Sequence, residues 1–350
     1  MYLLSEIESK SISIFKLLLI ILVVYIHSYT ENEIKISFSE THYLIQLEYF
    51  FSKCIGACAV PGFFLISSIL LYRKPFSFGD NLRKKVKTIL IPYLLLNSFW
   101  IIFFFIFQHT PLDVYFSNEE NMVSRWGLLQ WLDAYLGILD HYPILYPSYF
   151  LRDLFILNLI APFFLWFSMK FRYAAVLYGI VWFLPFNIMV GFVDIHVLGL
   201  WGIGCIVVNK RVHLRNAMRV SRFMFVMYFF LIVLDYFFKG TVLGALFRQI
   251  DILLGISFLY MVSEKLASSR MSSFLLKITP FSFGIFLFHE MNLTIGKKIC
   301  SKFLSQHISV QFAEYIVLPL VIVILCVLFC FSLKKYFPCV YCTVTGNRKF

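Results

Sequence analysis

Ten apolar stretches alternate with short polar connections along the chain, at about 12–29, 49–71, 89–107, 148–167, 174–191, 195–208, 223–238, 242–262, 281–296 and 312–333. Runs of this length predict membrane-crossing helices, the sixth and seventh being short for the purpose. The expected fold is all-α: a polytopic membrane bundle of about ten transmembrane helices with one long extramembrane loop at 108–147. The apolar core, about 12–335, takes in nearly the whole chain, so residues 1–350 are expected to form a single integral membrane domain.

The charged positions orient this bundle. Alternate connections hold Lys10, the basic stretch from Arg73 to Lys87, Lys170 and Arg172, the stretch from Lys210 to Arg222, Lys265, Arg270, Lys277, and a tail with Lys334, Lys335, Arg348 and Lys349. The opposite connections hold only Lys35, Arg125, Lys239, Lys297, Lys298 and Lys302. By the positive-inside rule both termini are expected in the cytoplasm. The first run lacks a basic leader and a small-residue cleavage site and is read as a retained helix.

Composition strengthens the membrane reading, since 60% apolar and 19% aromatic residues against 14% charged exceed what one soluble core needs. The net charge of +12 falls in blocks between apolar runs, with no basic domain or RNA-binding signature, which argues against a nucleic-acid partner. Cys54 and Cys58 are expected to pack as small hydrophobes. The pair Cys339 and Cys342, in a reducing cytoplasmic tail, is too little to assign zinc, and no metal is expected.

Ionisable groups inside apolar runs are costly and mark cavities, partners or pathways. Lys16 and His27 share one helical face, roughly 16 Å apart along the axis. Either their stripe lines a site, or Lys16 snorkels inward while His27 marks the outer boundary. In the second run Gly62, Ser67 and Ser68 permit close helix packing. The next inside loop carries Arg73, Lys74, Arg83, Lys84, Lys85 and Lys87 against Asp80 alone, as a topology anchor or a phosphate-binding surface.

The outer loop mixes Trp126, Trp131, Tyr135, Tyr142 and Tyr146 with Asp113, Glu119, Glu120, Asp133 and Asp140. It fits an interfacial helix or an aromatic platform for hydroxyl-rich ligands. Arg152 and Asp153 enter the fourth helix as a structural or functional pair. Arg248 and Asp251 are spaced to pair on the eighth helix, and His289 and Glu290 lie at membrane depth on the ninth. So many ionisable groups on separate helices point to a shared polar cavity.

At these residues the chain resembles the acyltransferase family 3 proteins, integral membrane enzymes that modify cell-surface polysaccharides, lipopolysaccharide and related glycans. The basic residue and His of the family's first helix correspond to Lys16 and His27, and its Phe-Phe-x-x-Ser-Gly element to Phe63 through Ser68. The basic loop ending in Pro-Tyr resembles Arg83 through Tyr93. Tyr149 through Arg152 and Gly284 through His289 match two later elements. Lys16 replaces the commoner Arg, Ser68 the usual Gly and Phe286 the frequent Tyr, and Thr88 blurs the paired-Arg pattern; lysine cannot form a bidentate fork on phosphate.

The resemblance implies transfer of an acyl group, commonly acetyl, from cytoplasmic acyl-CoA to a hydroxyl of an extracytoplasmic or lipid-linked saccharide, in the inner membrane of a bacterium. Acyl-CoA is then a donor substrate, with no permanently bound cofactor. Lys16, Arg83, Lys84, Lys85 and Lys87 are expected to meet the CoA phosphates. His27 is expected to act as general base, directly or through an acyl-histidine, with Arg152 stabilising the oxyanion or orienting the acceptor. Asp153, His289 or Glu290 would hold the imidazole or bind sugar hydroxyls, with Ser67, Tyr149, Trp126 and Trp131 lining the acceptor side. A transporter or flippase of a lipid-linked sugar or small anion also needs intramembrane charges. A receptor or scaffold accounts for the aromatic loop but not for charges along the first helix.

Overall fold

The computed structural model describes residues 4–29, 40–111, 113, 122–139, 142–219, 221–305 and 307–346. Lys35, Glu119, Glu120, Asp140, Arg348 and Lys349 lie outside them. The described residues are helical apart from loops and one short hairpin. Six helices are long and apolar enough to cross a membrane: Glu6–Ser28, Tyr43–Tyr72, Phe78–Phe107, Val242–Ala267, Ser272–Phe303 and Ile308–Tyr336. Tyr146–Leu159 with Ala161–Lys170 makes a seventh if counted as one broken span.

The all-α bundle of the sequence reading therefore stands, while its span count by length falls from about ten to six or seven. Each of the ten apolar stretches contains helix, but the fourth and fifth are interrupted and the sixth and seventh are too short to cross on their own. Pro162 breaks the fourth at Ile160, because it has no N–H to give the carbonyl four residues back, at Asn158, and its ring crowds that carbonyl. The fifth ends at Trp182, just ahead of Pro185. Ile195–Asn209 and Arg222–Phe237 are apolar helices of 15 and 16 residues.

The chain forms two compact units, each assembled from several stretches: Met1–Pro75, Phe164–Ile188 and Ile195–Ser332 in the first, and Phe76–Phe163, Met189–Asp194 and Leu333–Phe350 in the second.

In the first unit, helix Glu6–Ser28 is the central element. Ser5 starts it with a capping box: its hydroxyl accepts from Glu8 N at 3.2 Å and Glu8 Oε2 accepts from Ser5 N at 2.9 Å. Ile12, Phe15 and Leu19 enter one buried cluster with Cys58, Ile256 and Tyr260. Leu17, Ile20 and Val24 enter a second with Ala59, Ile285 and Ile322. A helix packed on both sides is apolar nearly all round, as this run is.

Association between membrane helices depends on close packing contacts rather than on transfer from water. Gly62 provides such a contact, since a Cβ there would stand 3.0 Å from Leu19 Cδ2; at Gly284 one would overlap Cys330 Sγ. A π-helical turn at Phe50–Cys54 interrupts the second span. Within it Ser52 Oγ donates to Tyr25 O at 2.7 Å and lies 2.7 Å from the Tyr315 hydroxyl, tying three helices together.

Arg248 does not pair with Asp251 as its spacing suggested. It takes Asp235 of the preceding helix, Nε to Oδ1 at 3.3 Å, and its Nη2 donates to Tyr49 Oη and Lys53 O at 3.4 and 3.3 Å. Asp251 keeps both carboxylate oxygens buried, with no hydrogen bond among the described residues.

The second unit holds Phe78–Lys85 and Ile91–Phe107, joined by a π-helical turn at Val86–Leu90, with Leu128–Leu136, Tyr149–Leu159 and Pro338–Val344. Asn97, fully buried, organises it: Nδ2 donates to Tyr93 O at 2.9 Å and Ser148 Oγ at 3.1 Å, and Oδ1 accepts from Leu145 N at 3.2 Å. Strands Met189–Val190 and Val193–Asp194 pair antiparallel in a stretch whose first part was read as membrane span. Gly191, at φ 66°, supplies the positive φ that a two-residue hairpin turn requires.

Candidate active site

The polar centre of the first unit grows from two helices. His27 sits in the last turn of Glu6–Ser28, one turn beyond Val24 and two beyond Ile20, which share a buried cluster with Ile285. On Ser282–Phe303, Ile285, His289 and Leu293 recur at four-residue spacing and form a single stripe. Ile285 and Leu293 are core residues, so His289 between them is buried completely. Glu290, the next residue, is turned by roughly 100° toward the edge of that stripe.

The result is a cluster of two imidazoles and a carboxylate. His27 Nδ1 stands 3.3 Å from Glu290 Oε2, with the two side chains 12% and 28% exposed. The His27 and His289 rings are 5.2 Å apart between centroids. His289 Nδ1 donates to the carbonyls of Phe286 at 2.8 Å and Ile285 at 3.1 Å, which fixes its proton on that nitrogen. Its Nε2 is buried and has no hydrogen-bond partner among the described residues. One donor atom from each of the three side chains lies within 4.8 Å of the other two. The set therefore has the composition of a metal-binding group, which the sequence reading did not foresee.

Two lysines border the cluster. Lys297 Nζ donates to the carbonyls of His27 at 3.1 Å and Tyr29 at 3.3 Å, filling the C-terminal end of the first helix with a cation. Lys53, on the π-helical turn, lies over the Tyr29 ring at 5.5 Å. Lys297 was read as an outer-loop residue. Its place seven residues after Glu290, on the same helical stripe, was the available signal.

Lys16 lies on the His27 face of the same helix and is half-buried. Ser67 is half-buried too, whereas its neighbour Ser68 is buried and donates to Trp201 O at 2.6 Å. That hydroxyl bond gives Ser68 a packing role at the position where glycine is usual.

The other expected site residues lie in the second unit. Arg152 Nε donates to Asp153 Oδ1 at 2.9 Å, Nη1 to Leu136 O at 2.6 Å and Nη2 to Phe192 O at 3.3 Å, and the guanidinium covers the Phe192 ring at 5.0 Å. Arg152 thus clamps the end of helix Leu128–Leu136 and the hairpin turn to its own helix. Both it and Asp153 are buried.

Tyr149 closes an aromatic cluster with Tyr142 and Tyr146, ring centroids 5.5 and 5.9 Å away. Trp126 and Trp131 meet edge to face at 5.7 Å. Asp133, expected among the acidic groups of that surface, spends one oxygen on Leu139 N at 2.6 Å. Arg83, Lys84 and Lys87 are exposed and Lys85 is half-buried, on Phe78–Lys85 and the turn after it.

The Acyltransferase domain family, acyltransferase family 3, matches residues 9–335. The chain is similar to the succinoglycan biosynthesis protein ExoH of Rhizobium meliloti (strain 1021), 27% identical over 158 residues that make up 44% of this chain and 41% of that protein. The match thus spans less than half the length of that relative. No solved structure matches. The family's model covers residues 9–335 and at least six helices are apolar and long enough to span a bilayer; the chain belongs to acyltransferase family 3.

Proposed function

We propose that the enzyme transfers an acyl group, acetyl in the first instance, from acyl-CoA to a hydroxyl of a surface or lipid-linked polysaccharide, in the plasma membrane of a bacterium. The observation that carries the reading is the carboxylate 3.3 Å from His27 Nδ1. A carboxylate there favours the tautomer with its proton on Nδ1 and leaves the Nε2 lone pair for an incoming hydroxyl. The glycan acceptor is supported by the similarity to a protein of succinoglycan biosynthesis.

The step balances simply. His27 Nε2 takes the acceptor hydroxyl proton as the oxygen bonds to the thioester carbonyl carbon; the carbon–sulfur bond then breaks, and the imidazolium returns the proton to the CoA thiolate. Glu290 stabilises the transient imidazolium. On the donor side, exposed Arg83, Lys84 and Lys87 with half-buried Lys85 form a basic group suited to CoA phosphates, and Lys16 is assigned to the same side by charge topology. On the acceptor side, Trp126, Trp131 and Tyr149 offer aromatic faces to sugar rings.

For Arg152 a second role is favoured by its three anchored nitrogens: it positions the acceptor surface rather than meeting the oxyanion. The deciding experiment supplies purified protein in liposomes with radiolabelled acetyl-CoA and candidate glycans. Label in the glycan supports the reading, whereas glycan movement without label overturns it.

A further inference from the structure

We propose that His27, His289 and Glu290 form an inhibitory site for a divalent transition-metal ion of the zinc class. Two imidazoles and one carboxylate are the donor set of many zinc sites that keep a fourth position open. Around a tetrahedral zinc ion with bonds of about 2.0–2.2 Å, neighbouring donors stand roughly 3.3–3.5 Å apart. His27 Nδ1 and Glu290 Oε2 already stand at 3.3 Å. All three donors lie within 4.8 Å of one another, so bringing in His289 takes a movement on the order of 1 Å.

His289 is prepared for this role. Its Nδ1–H is spent on the backbone carbonyls of Phe286 and Ile285, the outer-shell bond that commonly orients a metal-binding imidazole. The nitrogen left over, Nε2, is a buried lone pair that meets no donor among the described residues. An unmet buried acceptor is costly, and a cation relieves it. The neighbouring ammonium groups are held elsewhere, Lys297 on the carbonyls of His27 and Tyr29 and Lys53 over the Tyr29 ring.

Occupancy has a chemical consequence, which rests on the general-base reading of His27. The neutral ring carries one proton. When the metal takes the Nδ1 lone pair, that proton moves to Nε2, so the nitrogen that accepts the hydroxyl proton becomes a donor. The ion switches the base off by selecting its other tautomer, with no covalent change to the chain.

The test uses full-length protein purified in detergent without a histidine tag, in a Cys339→Ser/Cys342→Ser background that removes the exposed cysteine pair. Co2+ and Zn2+ are titrated, bound metal is counted after dialysis, and the visible spectrum of bound Co2+ is recorded. The expected result is one ion per chain, a cobalt spectrum without thiolate ligands, and binding weakened by about tenfold or more in His289→Ala and Glu290→Gln. His289→Gln and thermal unfolding of each metal-free variant guard against misfolding, and the parent titration needs no variant.

No stoichiometric binding, or binding unchanged in His289→Ala, overturns the site and leaves the acyl-transfer reading intact. Binding accompanied by acyl-transfer inhibition that a chelator reverses supports both the site and the tautomer switch. Binding with full activity overturns the inhibitory role.

Discussion

Glu290 Oε2 stands 3.3 Å from His27 Nδ1, joining the last turn of the first helix to the middle of Ser282–Phe303. A carboxylate at that distance favours the imidazolium that forms when the ring takes a proton. Glu290→Gln keeps the shape and removes the charge. Acyl transfer is expected to fall by about 100-fold in kcat, within the range attributed to positioned acid–base groups, with the KM for acyl-CoA little changed. Steady-state kinetics at matched protein levels checks this.

Lys297 closes the carbonyl end of the first helix just beyond His27. Lys297→Met should destabilise that end by about 1 kcal/mol, and Lys297→Arg should keep most of the stability. Thermal unfolding in detergent is the measurement. Hydrogen exchange at residues 25–29 should rise in the methionine variant alone.

Arg152 is a buried clamp with three anchored nitrogens. Arg152→Ala leaves Asp153 buried without its ion pair and should cost about 3–5 kcal/mol. Arg152→Lys should rescue little, because a point charge cannot reach three partners at once. A large drop in activity with unchanged thermal stability would instead return Arg152 to the oxyanion.

The basic residues 83–87 and Lys16 are expected to meet phosphate charge. Arg83→Ala and Lys16→Ala should each weaken acyl-CoA binding, and binding by the parent should weaken as salt rises. Calorimetry in detergent reads both effects. Unchanged affinity in both variants would move the donor site away from these residues.

Trp126→Ala with Trp131→Ala should raise the acceptor KM and leave the acyl-CoA KM unchanged. If the pair only anchors a helix at the interface, both substrates' kinetics and the melting temperature fall together.

Much of this centre was legible in the sequence because its members are ionisable groups in apolar runs, where each demands an explanation. His27, His289 and Glu290 stood out for that reason, whereas the four-residue spacing of Ile285, His289 and Leu293, which puts the second histidine in the core, was a signal left unused. Partnerships were less legible. The spacing of Arg248 and Asp251 on one helix suggested a local pair, but a carboxylate on the neighbouring helix, Asp235, takes the arginine. The clamp made by Arg152 uses backbone carbonyls of Leu136 and Phe192, and backbone groups leave no trace in side-chain pattern. The hairpin at 189–194 was hidden in an apolar run, with Pro185 and Gly191 its available signals.

Removal of the acceptor proton by His27 is tested most directly by label transfer from radiolabelled acetyl-CoA to glycan by His27→Ala and His27→Gln in liposomes, at matched levels of inserted protein. Both variants are predicted to lose transfer by about 100-fold or more, since glutamine keeps polarity but not the base. Near parental transfer by either variant would remove His27 from the catalytic step.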